Sequence, residues 1–520
     1  MLFNSYEFLF LYLPVTLAGF FALARLGRTL AALWLFAASL FFYGWWNPAY
    51  VGLLVASILF NFGFGSAISQ AHLDGRATRK RALLTFAVSA DLALLAYYKY
   101  ANFFLDSVNT LTGTDWALGT VILPLGISFF TFTQIAFLVD AYRGEVKERN
   151  LIHYGLFVTY FPHLIAGPVL HHKEMMPQFG LAKTYRPQWE NLSVGLTIFT
   201  IGLFKKVILA DGAAPFATPV FDAAAEGQTL TFLEAWSGAL AYTLQLYFDF
   251  SGYSDMAIGL SRLFGIRLPL NFDSPYKSRN IIEFWRRWHM TLSRFLRDYL
   301  YFALGGNRKG TARRYANLLV TMLLGGLWHG AGWTFVIWGG LHGLYLSLNH
   351  AWIKFRSGLP AAPSRLAAIE RFAGWALTFL AVVVGWVFFR ASDVDAALRM
   401  LAAMGGSEGI LVPSNWPGAW YLFSLLDRLG LDPELGVPAS QFDPMGYSPY
   451  WIMALLIVAW TMPNTQQIVA RFQPALDSVQ AASGRLLWQP TRLWAGAMGL
   501  AAALAVLHLT RVSEFLYFQF

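Results

Sequence analysis

Ten apolar stretches, at residues 8–25, 29–46, 50–70, 82–101, 121–140, 189–211, 233–260, 366–390, 449–463 and 493–510, dominate this chain. Crossing the hydrocarbon core of a bilayer takes about 20 mostly apolar residues in a helix. In lipid every backbone N–H and C=O must find its partner within the spanning structure. The pattern predicts an all-α polytopic membrane protein with about ten transmembrane helices. Charged side chains are 13% of the 520 residues, against roughly 25% in soluble domains. That deficit excludes a soluble enzyme, a disordered chain and a nucleic-acid binder. With no repeat, heptad run or low-complexity segment, residues 1–520 read as a single membrane domain. Cysteine is absent, which removes disulfides, thiolate metal sites and cysteine nucleophiles. No Lys or Arg precedes Arg25, so the opening segment lacks the basic flank of a secretory signal and reads as a retained first span.

The net charge of +9 finds its explanation in topology. Lys and Arg collect in cytoplasmic loops. Arg25 and Arg28 follow the first span, and Arg76, Arg79, Lys80 and Arg81 follow the third; the turn between them is uncharged. This alternation expects the N-terminus outside a bacterial inner membrane. Segment 261–317 carries twelve basic and three acidic residues and is expected to be a cytoplasmic interfacial region. Loop 391–448 carries two basic and seven acidic residues and is expected to be periplasmic.

Two apolar stretches resist simple spanning. Residues 151–170 lie between loops that both read as cytoplasmic, and Pro162 and Gly167-Pro168 interrupt them. Residues 318–349 also have basic segments on both sides. Thirty-two residues fall short of the roughly 40 that two crossings need. A re-entrant hairpin of broken helices is expected there, turning inside the membrane near Gly325–Gly332 and carrying His329 to its depth. Irregular backbone at that depth must line a cavity or be buried in protein.

An ionisable group inside a membrane is a functional candidate by default, and imidazole exchanges protons at neutral pH. The structural alternative for His329 is helix packing. His289 lies in Asn280–Ala303, whose spacing predicts one amphipathic interfacial helix with Trp285, Trp288, Leu292 and Phe295 on its apolar face. The histidine falls at the edge of that face, where an anchoring role is the alternative. A polar cluster, Asp249, Ser251, Tyr253 and Asp255, interrupts another span; interhelical hydrogen bonding and a polar path are its two readings. His342 follows His329 by 13 residues, about 220° away on one continuous helix, so the two would not converge. His163, His171 and His172 lack zinc spacing, and no metal is expected. No nucleotide-binding or serine-hydrolase motif occurs.

Three runs then carry a resemblance: QLYFDFSGYSDMAIG (245–259), NFDSPYKSRNIIEFWRRWHMTLSRFLRDYLYFALGGNR (271–308) and NLLVTMLLGGLWHGAGWTFVIWGGLHG (317–343). They resemble the membrane-bound O-acyltransferase superfamily, with the closest likeness to the membrane subunit of bacterial alginate O-acetylation. The resemblance implies helices ringing a thin centre, where an outer funnel meets a narrow cytoplasmic tunnel. It places the essential histidine on His329, beside Trp328, and a second polar position on His289.

The same resemblance implies an acetyltransferase with no permanently bound cofactor. Its donor would be acetyl-CoA or another acetyl thioester, and its acceptor a hydroxyl of an exopolysaccharide or of a periplasmic relay protein. Arg286, Arg287, Arg294 and Arg297 are candidates for the donor's phosphates, with anionic-lipid contact as the alternative. Membrane lipids, a periplasmic acetyltransferase and polysaccharide-synthesis proteins are the expected partners. A flippase relying on Asp249 and Asp255, and a non-catalytic scaffold docking through Trp416, Trp420, Tyr421 and Phe423, are the competing functions.

Overall fold

The computed structural model describes residues 1–165, 167–358, 363–482, 486–510 and 516. Among these, secondary structure is helical apart from one parallel pair of three-residue strands, Leu411–Pro413 with Glu434–Gly436. Part of the basic stretch 350–371 and residue 166 of the 151–170 segment lie outside the described residues.

The expected spans appear as helices with small shifts at their ends. Four are long and apolar enough to cross a membrane: Ala49–Leu73, Ala77–Thr112, Trp189–Ala210 and Leu366–Arg390. Phe8–Ala24, Arg28–Gly44, Ser448–Thr461 and Arg492–Leu507 are apolar but shorter. The stretch predicted at 121–140 becomes Ile127–Arg143, because the chain through Pro124 is not helical. Phe232–Leu263 runs for 32 residues, about 48 Å, which exceeds the roughly 30 Å hydrocarbon core.

The described residues fall into two compact units. The first holds Met1–Phe204, Gly252–Asn271 and residues 465–510. Its helices are tied by polar contacts at buried positions: Asn61 Nδ2 donates to Asp91 Oδ1 at 3.0 Å, and Gln134 Nε2 to Ser57 Oγ at 2.8 Å. Such side-chain bonds join helices where the surrounding lipid offers no hydrogen-bond partner. Here the 151–170 segment breaks as its prolines require, into Leu151–Thr159 and the single turn Phe161–Leu164.

The second unit holds Lys205–Ser251, Phe272–Asn464 and, at the C-terminus, Leu516. Its core is aromatic: Trp285, Trp288, Trp338, Trp386, Phe284 and Tyr276 are buried together. Trp338 stacks on Trp386 at 5.8 Å between ring centroids, and Phe284 on Trp288 at 5.6 Å. Each such pair contributes about 0.5–1.5 kcal/mol beyond its buried area. The hairpin forms, but its helices are not broken. Thr311–His329 and Trp333–Arg356 are regular, take in the basic residues at their far ends, and turn only at Gly330–Gly332.

The predicted single helix at Asn280–Ala303 is replaced by two short ones, Ile281–Trp285 and Met290–Phe295, followed by a wide turn at Leu296–Tyr301. Asn280 caps the first by accepting from the Glu283 N–H at 2.9 Å. The break falls at His289, which leaves helical geometry altogether.

Candidate active site

His329 ends the first hairpin helix. Fifteen residues separate it from Arg314, so the regular helix carries the imidazole about 22 Å from its basic end. Glycine lets the two helices approach. A Cβ at Gly326 would lie 2.2 Å from the Phe335 carbonyl oxygen, and one at Gly339 would lie 2.3 Å from that of Met322. Backbone can come this near only where side chains are missing, as in small-residue packing of membrane helices.

His289 arrives by a different device. Its backbone is left-handed, φ 42° and ψ 52°, a conformation costing of order 1–3 kcal/mol in a residue other than glycine. Surrounding hydrogen bonds hold it there. The Asp273 N–H donates to the Arg287 carbonyl at 2.9 Å, and the Ser293 N–H to the His289 carbonyl at 3.0 Å. The turn swings the imidazole inward, so His289 is fully buried rather than lying at the edge of an interfacial helix.

The two imidazoles meet with ring centroids 6.3 Å apart. Aromatic rings wall them in: Trp328, Trp338 and Phe389 lie 4.8, 5.2 and 5.2 Å from His329, and Phe250 lies 4.8 Å from His289. Both are buried, His289 at 0% exposure and His329 at 7%. Beside His329 begins the 24-residue helix Trp333–Arg356, whose N-cap Gly332 supplies no side-chain hydrogen bond. The first N–H groups of such a helix have no intrahelical acceptor and present partial positive charge.

The other predicted residues disperse. Arg287 pairs with Glu283 at 3.0 Å and Asp273 at 3.7 Å, and Arg297 pairs with Asp298 at 2.7 Å. Arg294 is half-buried, and Arg286 is exposed. The polar cluster is not gathered into one site. Asp249 and Ser251 belong to the second unit, Tyr253 and Asp255 to the first. Tyr253 stacks on Phe3 at 4.7 Å; Asp255 accepts from Thr465 Oγ1 at 2.5 Å and Gln466 Nε2 at 2.9 Å. Ser251 is buried.

Asp249 binds a residue that the sequence reading passed over. Lys206 Nζ, 1% exposed, lies 2.9 Å from Asp249 and 2.5 Å from Asp211. The signal was present: Lys205-Lys206 sits near the expected outer end of a span, against the positive-inside bias. His342 was also set aside. Its Nδ1 accepts from Trp285 Nε1 at 3.2 Å, and the Trp338 ring stands between it and His329, 4.9 Å from one and 5.2 Å from the other.

Comparison with known proteins agrees with this architecture. The model of the membrane-bound O-acyltransferase family matches residues 16–385. The chain is 42% identical to the probable alginate O-acetylase of Pseudomonas putida, over the whole length of both. It is 44% identical to the peptidoglycan O-acetyltransferase of Helicobacter pylori, over 79% of this chain and 81% of that one. Against the teichoic acid D-alanyltransferase of Streptococcus thermophilus the identity is 31%, over 47% and 60% of the two chains. A likeness that takes in the hairpin, both histidines and the apolar helices shows that this chain is a membrane acyltransferase belonging to the membrane-bound O-acyltransferase family.

Proposed function

We propose that the protein transfers an acetyl group from a cytoplasmic thioester, acetyl-CoA or an acetylated carrier, to a hydroxyl presented from the outer side of the inner membrane. The acceptor is an exopolysaccharide of the alginate type or a relay protein that passes the acetyl group on. The names of the similar proteins, an alginate O-acetylase and a peptidoglycan O-acetyltransferase, support acetyl transfer to a polysaccharide.

One observation carries the reading: an imidazole at a hairpin tip, set against a second imidazole inside aromatic walls. His329 acts as general base and takes the acceptor's proton. The hydroxyl oxygen attacks the thioester carbonyl, the carbon–sulfur bond breaks, and the thiolate leaves with the proton that His329 returns. First-turn N–H groups of Trp333–Arg356, the helix whose N-cap Gly332 lies three residues after His329, stabilise the oxyanion. His289 orients His329. The aromatic rings keep water away and so suppress hydrolysis of the thioester. The flippase reading draws less support, because Asp249 and Asp255 are both engaged by neighbouring side chains.

The test is His329→Ala in a strain whose polymer acetylation is measured by mass spectrometry, with membrane levels of the protein checked. Loss of acetyl ester at normal protein level supports the reading. Unchanged acetylation overturns it.

A further inference from the structure

His342 is a fully buried polar residue that the proposed transfer leaves without a task. It lies on the second hairpin helix, one turn beyond Trp338 on the same face. Its Nδ1 stands 3.2 Å from Nε1 of Trp285, which is buried too. An indole N–H can only donate, so Nδ1 accepts and the ring proton sits on Nε2. The lone pair that would take up a proton is thereby engaged. His342 serves through this bond and its shape, not as a second base.

Three rings close into a triangle. Centroids are 4.9 Å apart for His342 and Trp338, 5.2 Å for His342 and Trp285, and 5.8 Å for Trp285 and Trp338. Two corners lead to the histidine pair. Trp338 packs edge to face on His329 at 5.2 Å. Trp285 ends the short helix Ile281–Trp285, which packs on the second hairpin helix four residues before the turn at His289. The third corner is held from outside. Phe284 stacks on the His342 ring at 6.2 Å, and a Cβ at Gly385, in Leu366–Arg390, would lie 2.9 Å from His342 Nε2.

A buried indole N–H that loses its acceptor is costly, and hydrocarbon supplies no replacement. Without the acceptor at 342, Trp285 and the helix it ends would shift on the hairpin. We propose that His342 is a positioning residue: its bond to Trp285 fixes where the segment carrying His289 docks on the hairpin carrying His329. The bond thereby sets the 6.3 Å spacing of the two imidazoles. The proposal rests on the transfer reaction above and adds a residue that acts only through others.

The test uses the full-length protein in nanodiscs, with acetyl-CoA as donor and a de-acetylated alginate oligosaccharide as acceptor probe, and follows thiol release. Leucine at 342 supplies bulk without an acceptor, whereas asparagine returns an amide oxygen near the place of Nδ1. H342L is expected to lower kcat about 10–100-fold with KM for acetyl-CoA within about twofold, because a small misplacement remote from the chemistry costs that much. H342N should stay within about threefold of the parent, its restored acceptor keeping the pair in register. W285F should match H342L, and the double variant W285F/H342L should lie within about twofold of H342L, since both remove one contact. Thermal unfolding of the same four proteins repeats the cycle without turnover and should show the same non-additivity. If H342L does not fold, W285F against H342N carries the decision. Full kcat in W285F, no recovery in H342N, or additive losses overturn the proposal. H329A in the same assay separates the two readings. A rate equal to the parent's overturns the transfer mechanism and the positioning role together; a slow H329A beside a W285F at full rate overturns the positioning role alone.

Discussion

His329 rides on the last turn of a regular 19-residue helix, whereas His289 stands in a left-handed turn between helices of five and six residues. The first position is set by length and by glycine at the helix contact. The second is set by a conformation that the isolated segment would avoid, held by hydrogen bonds to residues 273 and 293. In the proposed reaction, rigid presentation suits the general base. A strained, fully enclosed position suits the residue that orients the other ring.

The largest test of this contrast is His329→Ala. Removing a general base costs about 10²–10⁴-fold in rate, and acetyl transfer by the purified protein should fall by that much without loss of folded protein. The double variant His289→Ala/His329→Ala sharpens the comparison. Residues acting as one unit are strongly non-additive, so its rate should lie within about twofold of His329→Ala alone. A further drop of a hundredfold would mean that His289 acts on its own.

Gly326→Ala probes the regular side. Its Cβ would press on the Phe335 carbonyl, and overpacking of this kind costs about 1–3 kcal/mol. Thermal unfolding in detergent should show the loss, with acetyl transfer falling as the hairpin opens. The smallest effect is expected on the strained side. Asparagine tolerates the left-handed region better than alanine. His289→Asn should therefore be more stable than His289→Ala by about 1 kcal/mol while both lose activity. Equal stability would mean that the turn relaxes and the strain is not stored.

Much of this was readable before any coordinates. Hydrophobic runs located nearly every long helix, and the basic segments flanking 318–349 required a hairpin. The same counting missed the regularity of its helices, because it stopped where the apolar run ended, whereas the helices continue through Thr311–Asn317 and His350–Arg356. The break at His289 was hidden for the opposite reason. Amphipathic spacing persists across residues 280–303, and nothing local announces a left-handed histidine. Lys206 showed in the sequence as a charge out of place, but its partners, Asp211 and Asp249, are 5 and 43 residues away along the chain.

Composition and charge order by themselves determined that this chain is a membrane protein, where most of its long helices lie and where it doubles back as a hairpin. These follow from the cost of leaving backbone polar groups and charges in hydrocarbon, a cost each segment meets locally. Which imidazole faces which, which arginines are already spent on carboxylates, and where the backbone accepts strain were decided only by the tertiary structure. Those outcomes depend on contacts between residues far apart in sequence, and on packing that can hold a conformation no short segment would choose.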